Sequence, residues 1–440
     1  MNLRLLNYVI ALISFCCSSA FAQDYNLGEL SFNSAEQLFL GYNHELLAAK
    51  RMIESAQADA VTAGQSPNPT LSLGLSNFNL NRNQGNTNPN GSNSIADKTL
   101  NNTVQINQLF ERGDKRALRT ASAESGIKAS KYDFKDVLRQ QKLALANAYY
   151  DLMLAQESEK IQTNNVDLYE KTLEAAELRF KAGDVAFSDV ARIRVDMLRG
   201  KNDLRQSIAN HQKAQSNLAY LIGREKEAGS IIASDNWPNS MIYQDSIDIA
   251  SSDTLSPDSK LNQRPDVLAA DARIQQAEQK RGFANALQTR DVDIGLQYQR
   301  FPGQEPGVGV NTLGLTLTIP LFINYQYQGE IARAEVDYSA ALEAKEQARA
   351  TAVSEITRAH ADLNASLEKV RRFDEQMVTE AQKSASATEF AYQHGAIGVN
   401  DLLDSRRVLR ALQLEAVSAH ADFAKSLAAW QASTNIEKSP

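Results

Sequence analysis

The chain has 440 residues, is 43% hydrophobic and 22% charged, and carries a formal net charge of −7. That mild acidity excludes a general attraction for nucleic acid. After Gln23 no run of about 18 apolar residues occurs, which excludes a spanning helix, so any contact with a membrane has to be made by strands.

Residues 1–22 have the layout of a secretory signal peptide. Arg4 is the only charge, Leu5–Phe15 is mostly apolar, and Ala20-Phe21-Ala22 is a small-x-small cleavage site ahead of Gln23. Cleavage there would take the charge from −7 to −8 and remove Cys16 and Cys17, the two cysteines of the chain. Ile13-Ser14-Phe15 is a poor match to a lipoprotein site. The mature chain is therefore expected to have no disulfide and no lipid anchor.

Residues 23–224 combine two textures. Segments 69–78 and 99–110 alternate on a period of two, with Leu71, Leu73 and Leu75 opposite Ser72, Gly74 and Ser76, and with Val104 and Ile106 opposite Thr103, Gln105 and Asn107. Each is about ten residues, the length of a tilted membrane strand that is apolar outward and polar inward. A half-buried soluble sheet would show the same alternation. The join from Asn81 to Lys98 is Asn/Gly-rich. Residues 112–180 then read as one helix. No proline occurs between Pro89 and Pro238, and Phe134, Leu138, Leu145, Tyr149 and Leu152 form a coiled-coil-like seam. More than about 60 residues at 1.5 Å rise would span ~100 Å. Lys181-Ala182-Gly183-Asp184 is a glycine turn, followed by a shorter helix to residue 223.

Residues 225–262, with Pro238, Pro257 and many Ser and Asp, read as a polar connector. Residues 263–436 repeat the first plan. Strands are expected at 291–301, with Val292, Ile294, Leu296 and Tyr298 on one face, and at 312–321, with Leu313, Leu315, Leu317 and Ile319 on one face. Pro302–Gly309 joins them. A second long helix is expected over 329–392, with a seam of Val353, Ile356, His360, Leu363, Leu367, Val370, Phe373 and Met377, then a turn at Gln393-His394-Gly395-Ala396. His360 reads as a packed histidine, and Met153 and Met377 as core. Asn43–Leu75 aligns without a gap to Arg264–Leu296 at an offset of 221. Past the strands the offset becomes 212, pairing Gly183 with Gly395 and Asp189 with Asp401. A period near 200 is a duplication rather than a solenoid.

Four strands cannot close a barrel, because closure needs about eight and a water-filled lumen more. An open sheet edge in lipid leaves backbone groups unpaired. Completion by other subunits in cyclic symmetry is the solution: two copies would give eight strands and a filled interior, and three would give twelve strands and a pore.

In the order of its elements, its duplication and its local motifs, the chain resembles the TolC-like outer-membrane efflux factor family over nearly its whole mature length. The matching stretches are Arg264-Pro265-Asp266-Val267, Arg179-Phe180-Lys181-Ala182-Gly183 leading to Ser188-Asp189-Val190, and Phe390 to Gly395 leading to Asp401-Leu402-Leu403-Asp404. The resemblance implies a mainly α fold with a transmembrane β-barrel portion, built as a homotrimer with twelve strands and an α-helical periplasmic tunnel. It also implies docking to a membrane-fusion adaptor and an inner-membrane pump of the RND type, with outer-membrane lipid around the barrel. Ile319-Pro320-Leu321-Phe322, Gln328 to Ala334 and Glu111 to Arg116 are similar to the heavy-metal cation-efflux branch. Export of drugs or organic solutes, or a type I secretion exit duct, is the alternative substrate reading.

By the same resemblance the adaptor docks at Gly183-Asp184-Val185 and Gly395-Ala396-Ile397. Glycines that only cap helices are the plainer reading. Asp401 and Asp404 are three apart and so share a helix face. In a trimer they would form two stacked carboxylate rings, a periplasmic gate that favours cations. An Asp near a helix N-terminus also stabilises the helix dipole by about 0.3–1 kcal/mol with no further role. Closed relatives can carry an Arg where this chain has Ile397. No GxSxG, HExxH, phosphate loop or cysteine nucleophile is present, and the five histidines lie far apart, so neither an enzyme nor a cofactor is expected. A secreted coiled-coil scaffold would account for the helices and signal peptide, but not for duplicated amphipathic strands.

Overall fold

The structure is a computed structural model that describes residues 26–76, 101–239, 261–301 and 311–434. The expected signal peptide, the Asn81–Lys98 and Pro302–Gly309 joins and most of the connector lie outside the described residues. The helices are α1 (Phe32–Tyr42), α2 (His44–Ala63), α3 (Lys115–Lys181), α4 (Phe187–Ile222), α5 (Pro265–Ala286), α6 (Gln328–Arg372), α7 (Val378–Gln393) and α8 (Val399–Thr434). The strands are β1 (Thr70–Ser76), β2 (Asn101–Phe110), β3 (Val292–Arg300) and β4 (Asn311–Thr318). The fold is mainly α with one four-stranded sheet. Two compact units each draw on both halves of the sequence: one holds residues 48–138 and 255–355, the other residues 1–47, 139–254 and 356–440.

The first unit carries the sheet, antiparallel throughout in the order β1-β2-β3-β4. Duplication explains the order, since each half supplies one hairpin and the hairpins meet at β2–β3. β4 stops at Thr318, short of the expected 321, because Pro320 has no N–H to give to the ladder. Similarly, α3 starts at Lys115 and not at 112. Gly113 and Asp114 both take positive φ (73° and 57°), which a right-handed helix cannot include. On α5 the residues Ala269, Ala270, Ala272, Ala277 and Ala284 are buried, so neighbouring backbones approach closely.

In the second unit, the α3 seam is buried where expected. Leu145, Tyr149 and Leu152 are fully covered and Met153 is buried. Tyr149 also donates to the carbonyl of Leu30 at 2.8 Å, and Leu30 forms a parallel bridge with Ala233 of the connector. Leu363, Leu367, Val370 and Phe373 pack on Ala416, Ala419, Phe423 and Leu427 of α8. The expected single helix over 329–392 is not continuous. A π-helical turn at Phe373–Met377 separates α6 from α7. The extra residue per turn carries the seam from Phe373 to Val378, five positions on, and both pack in this core. Met377, expected in the core, is thereby turned outward and is 39% exposed. His360 is packed, with its ring 5.3 Å from that of Trp430.

Candidate functional site

The register sorts every strand residue by face. Leu71, Ile106, Leu296 and Leu315 form one row across all four strands, and Leu73, Val104, Tyr298 and Leu313 form the next. Each of these side chains is exposed, from 40% at Val104 to 77% at Leu315. On the reverse face the matching rows are Ser72, Gln105, Gln297 and Gly314, then Gly74, Thr103, Gln299 and Thr312. A sheet in water would bury its leucine face against another layer. Here no described residue covers it, and the edges of β1 and β4 are unpaired among the described residues. Gly295 lies on the polar face by its register with Asn107 and Thr316, and a Cβ there would meet the end of the Asn107 side chain, which accepts a 2.8 Å hydrogen bond from Gln105.

In the second unit the two glycine turns have the same backbone design. Gly183 and Gly395 take φ of 83° and 73°. Asp184 N donates to Arg179 O at 2.9 Å and Gly183 N to Phe180 O at 3.0 Å; Ala396 N donates to Ala391 O at 2.9 Å and Gly395 N to Tyr392 O at 3.0 Å. Both are Schellman caps, in which glycine satisfies the last carbonyls of the long helix. The turns lie side by side. Val185 and Tyr392 pack on one cluster of Tyr169, Val190, Ile193, Val399 and Leu403, and Arg192 donates to Asn400. Gly183, Asp184, Gly395 and Ala396 are exposed, while Val185 and Ile397 are half-buried.

Asp401 is exposed in the first turn of α8 and forms no ion pair among the described residues. Asp404 is also exposed, but Arg407 holds it at 2.6 Å. Arg407 reaches on to Asp196 of α4, again at 2.6 Å, and Asp196 is buried. The Asp196 hydrogen bond holds the Arg407 guanidinium above its ordinary pKa against the opposing pull of burial. Below them Arg406 is buried and donates to Thr172 and Glu389. Sequence reading missed Asp196 and Arg407. The signal was two acids one heptad apart on α4, Asp196 and Asp203, facing Arg407 and Arg410 of α8.

A bare two-faced sheet with open edges, helices of tens of residues, and paired glycine turns define a channel-forming protein rather than a catalyst. A family model described as outer membrane efflux protein matches residues 36–224 and 256–435, and the chain belongs to that family. Its members are non-enzymatic outer-membrane channels that extend into the periplasm, form trimers, and work with adaptor and inner-membrane pump proteins. Among similar proteins, the cobalt-zinc-cadmium resistance protein CzcC of Cupriavidus metallidurans is 21% identical, covering 87% of this chain and 84% of the relative. The pyoverdine export outer membrane protein OpmQ of Pseudomonas aeruginosa is 25% identical, covering 93% and 85%. TolC of Escherichia coli is 23% identical, covering 76% and 68%. Solved structures with the same fold include CusC, with a TM-score of 0.75 at 16% identity over 94% of this chain and 95% of that one. VceC from Vibrio cholerae matches with a TM-score of 0.72 at 21% identity over 92% and 95%.

Proposed function

We propose that this chain is one third of an efflux duct that releases heavy-metal cations through the outer membrane. The leucine face of the sheet carries this reading, exposed along two full rows, while no helix among the described residues is long and apolar enough to cross a membrane. Open edges in a bilayer leave N–H and C=O groups unpaired at several kcal/mol each, so the β1 and β4 edges pair between subunits. Three copies give twelve strands with the polar rows lining the lumen. The signal peptide is cleaved after Ala22, and residues 23–224 and 263–436 act as the two repeats about the connector.

The two exposed turns are the adaptor-docking tips, and Asp401 and Asp404 form the periplasmic gate. Two rings of carboxylates favour cations, in keeping with a metal cargo delivered by an RND pump. Similarity to CzcC supports the metal reading, and similarity to OpmQ favours the alternative of an organic solute. Deletion of the gene, followed by growth on cobalt, zinc and cadmium, separates them: metal sensitivity restored by the intact gene supports metal export, and unchanged metal tolerance refutes it. Ala396→Glu tests the tips. Export is lost while the heat-modifiable outer-membrane trimer persists, whereas wild-type export from that variant would remove the docking site.

A further inference from the structure

Arg407 bridges two carboxylates that differ in what else can solvate them. Its Nη2 lies 2.6 Å from Asp196 Oδ2 and its Nη1 2.6 Å from Asp404 Oδ1. The Asp196 side chain is 5% exposed, and its only other cation among the described residues is Arg199 at 3.8 Å, itself 74% exposed. Tyr169, 3% exposed, sits in the same pocket. Burial first, and then the Asp196 charge, push its phenol above the ordinary value, so it stays neutral beside the carboxylate. The Asp404 side chain is 72% exposed. A buried carboxylate without a partner is far costlier than an exposed one, which water solvates. The exchange therefore falls on one arm: Arg407 stays on Asp196, and Asp404 can leave.

From this asymmetry we infer that Asp196 and Arg407 set the cation preference of the gate, with the buried carboxylate restraining an arginine that otherwise neutralises Asp404. Asp196 is a positioning residue that needs no contact with the permeating ion. A cation in the tunnel competes with Arg407 for the Asp404 carboxylate, and the strength of the Asp196 arm decides how readily it wins. Arg407 thus acts as a built-in competitor that keeps a multivalent cation from lodging at the ring. The inference rests on reading Asp404 as a gate residue, and it predicts opposite signs for two neutralising substitutions that a purely structural pair would not give.

The test is the reversal potential of the purified trimer in planar bilayers under a KCl gradient, with magnesium block measured alongside. Asp196→Asn releases Arg407 entirely to Asp404 and lowers the cation-to-anion permeability ratio by about two- to fivefold, the range open to an exposed ion pair. Arg407→Gln frees Asp404 and raises both the ratio and the magnesium block. Because Arg407→Gln strands a buried carboxylate, the double variant Asp196→Asn/Arg407→Gln is included. It leaves a neutral pocket with no stranded charge and keeps cation preference at or above wild type. Equal shifts of one sign for Asp196→Asn and the double variant, or changes in trimer level alone, overturn the inference. Asp404→Asn separates the two layers. If it alters selectivity while the Asp196 and Arg407 variants do not, the gate stands and this inference falls; if it alters nothing, both fall.

Discussion

Arg264 is buried at the start of α5 and donates to Glu355 of α6 at 2.7 Å, 91 residues further along the chain. The same guanidinium is bidentate on Asp266, at 3.1 Å and 2.7 Å, and Asp266 Oδ1 accepts from Val267 N at 2.9 Å. Burial works to lower the arginine pKa, but the hydrogen bonds to Asp266 and Glu355 outweigh it and hold the group charged. The Arg264-Pro265-Asp266 motif is thus a staple that fixes where α5 begins, with proline at the first helical turn.

Removing that cation takes away a charge that both carboxylates share. Arg264→Met is expected to cost about 1.5–3 kcal/mol, the range for hydrogen bonds to charged groups, since the carboxylates are 20% and 35% exposed. Arg264→Lys recovers only part of this, because a lysine cannot bridge two carboxylates with a planar fork. Urea midpoints of the detergent-purified protein measure both. Equal stability of the methionine variant would show that the staple carries no net stability.

The two sheet glycines paired by the duplication, Gly74 and Gly295, answer differently to a methyl group. At Gly74 the nearest atom to a new Cβ is Thr103 Cβ at 3.6 Å, an ordinary contact. At Gly295 a Cβ overlaps Asn107 and comes within 3.0 Å of Gln105 Nε2, inside a hydrogen-bonded pair of side chains on a central strand. Both atoms are the far ends of flexible side chains, so Gly295→Ala is expected to break the Gln105–Asn107 bond at a cost of about 1 kcal/mol, read as a lower urea midpoint with trimer still formed, and Gly74→Ala to leave the midpoint near wild type.

Tyr149 carries a pH signature. Burial chiefly, and the Asp235 carboxylate next, push its phenol well above the ordinary value near 10. The folded state therefore keeps its proton longer than the unfolded state does. Its contribution is complete below about pH 10 and is lost as pH rises beyond that. Tyr149→Phe removes the 2.8 Å bond to Leu30 and is expected to cost about 1 kcal/mol at neutral pH. The gap between wild type and variant should shrink in unfolding curves taken above about pH 10. A gap constant with pH would contradict this.

Much of this fold is legible in the sequence because strand alternation and helix periodicity are local signals. Leu71, Leu73 and Leu75 announce a face by themselves, and Gly183 and Gly395 announce turns. What stayed hidden depends on partners far away in the chain. The π turn left no signal in the seam, because the step from Phe373 to Met377 is an ordinary four and which residue rejoins the seam is decided by packing on α8. Asp196 looks like any surface acid of a long amphipathic helix until α8 brings Arg407 to it. For the same reason Asp404 reads as a free carboxylate in sequence and as an ion pair in the structure.

In the proposed duct the leucine face of the sheet meets lipid and the polar face meets water. Cys16 and Cys17, both within the expected signal peptide, are the only native thiols, so single cysteines report cleanly. Leu315→Cys and Thr316→Cys are neighbours on β4 whose side chains point to opposite faces. The decisive measurement is their rate of reaction with a charged, membrane-impermeant maleimide in outer-membrane vesicles, with detergent-denatured protein as the reference. Fast labelling is expected at 316 and protection at 315, even though Leu315 is 77% exposed in the isolated chain. Equal labelling at both positions, or protection at 316 alone, would contradict it.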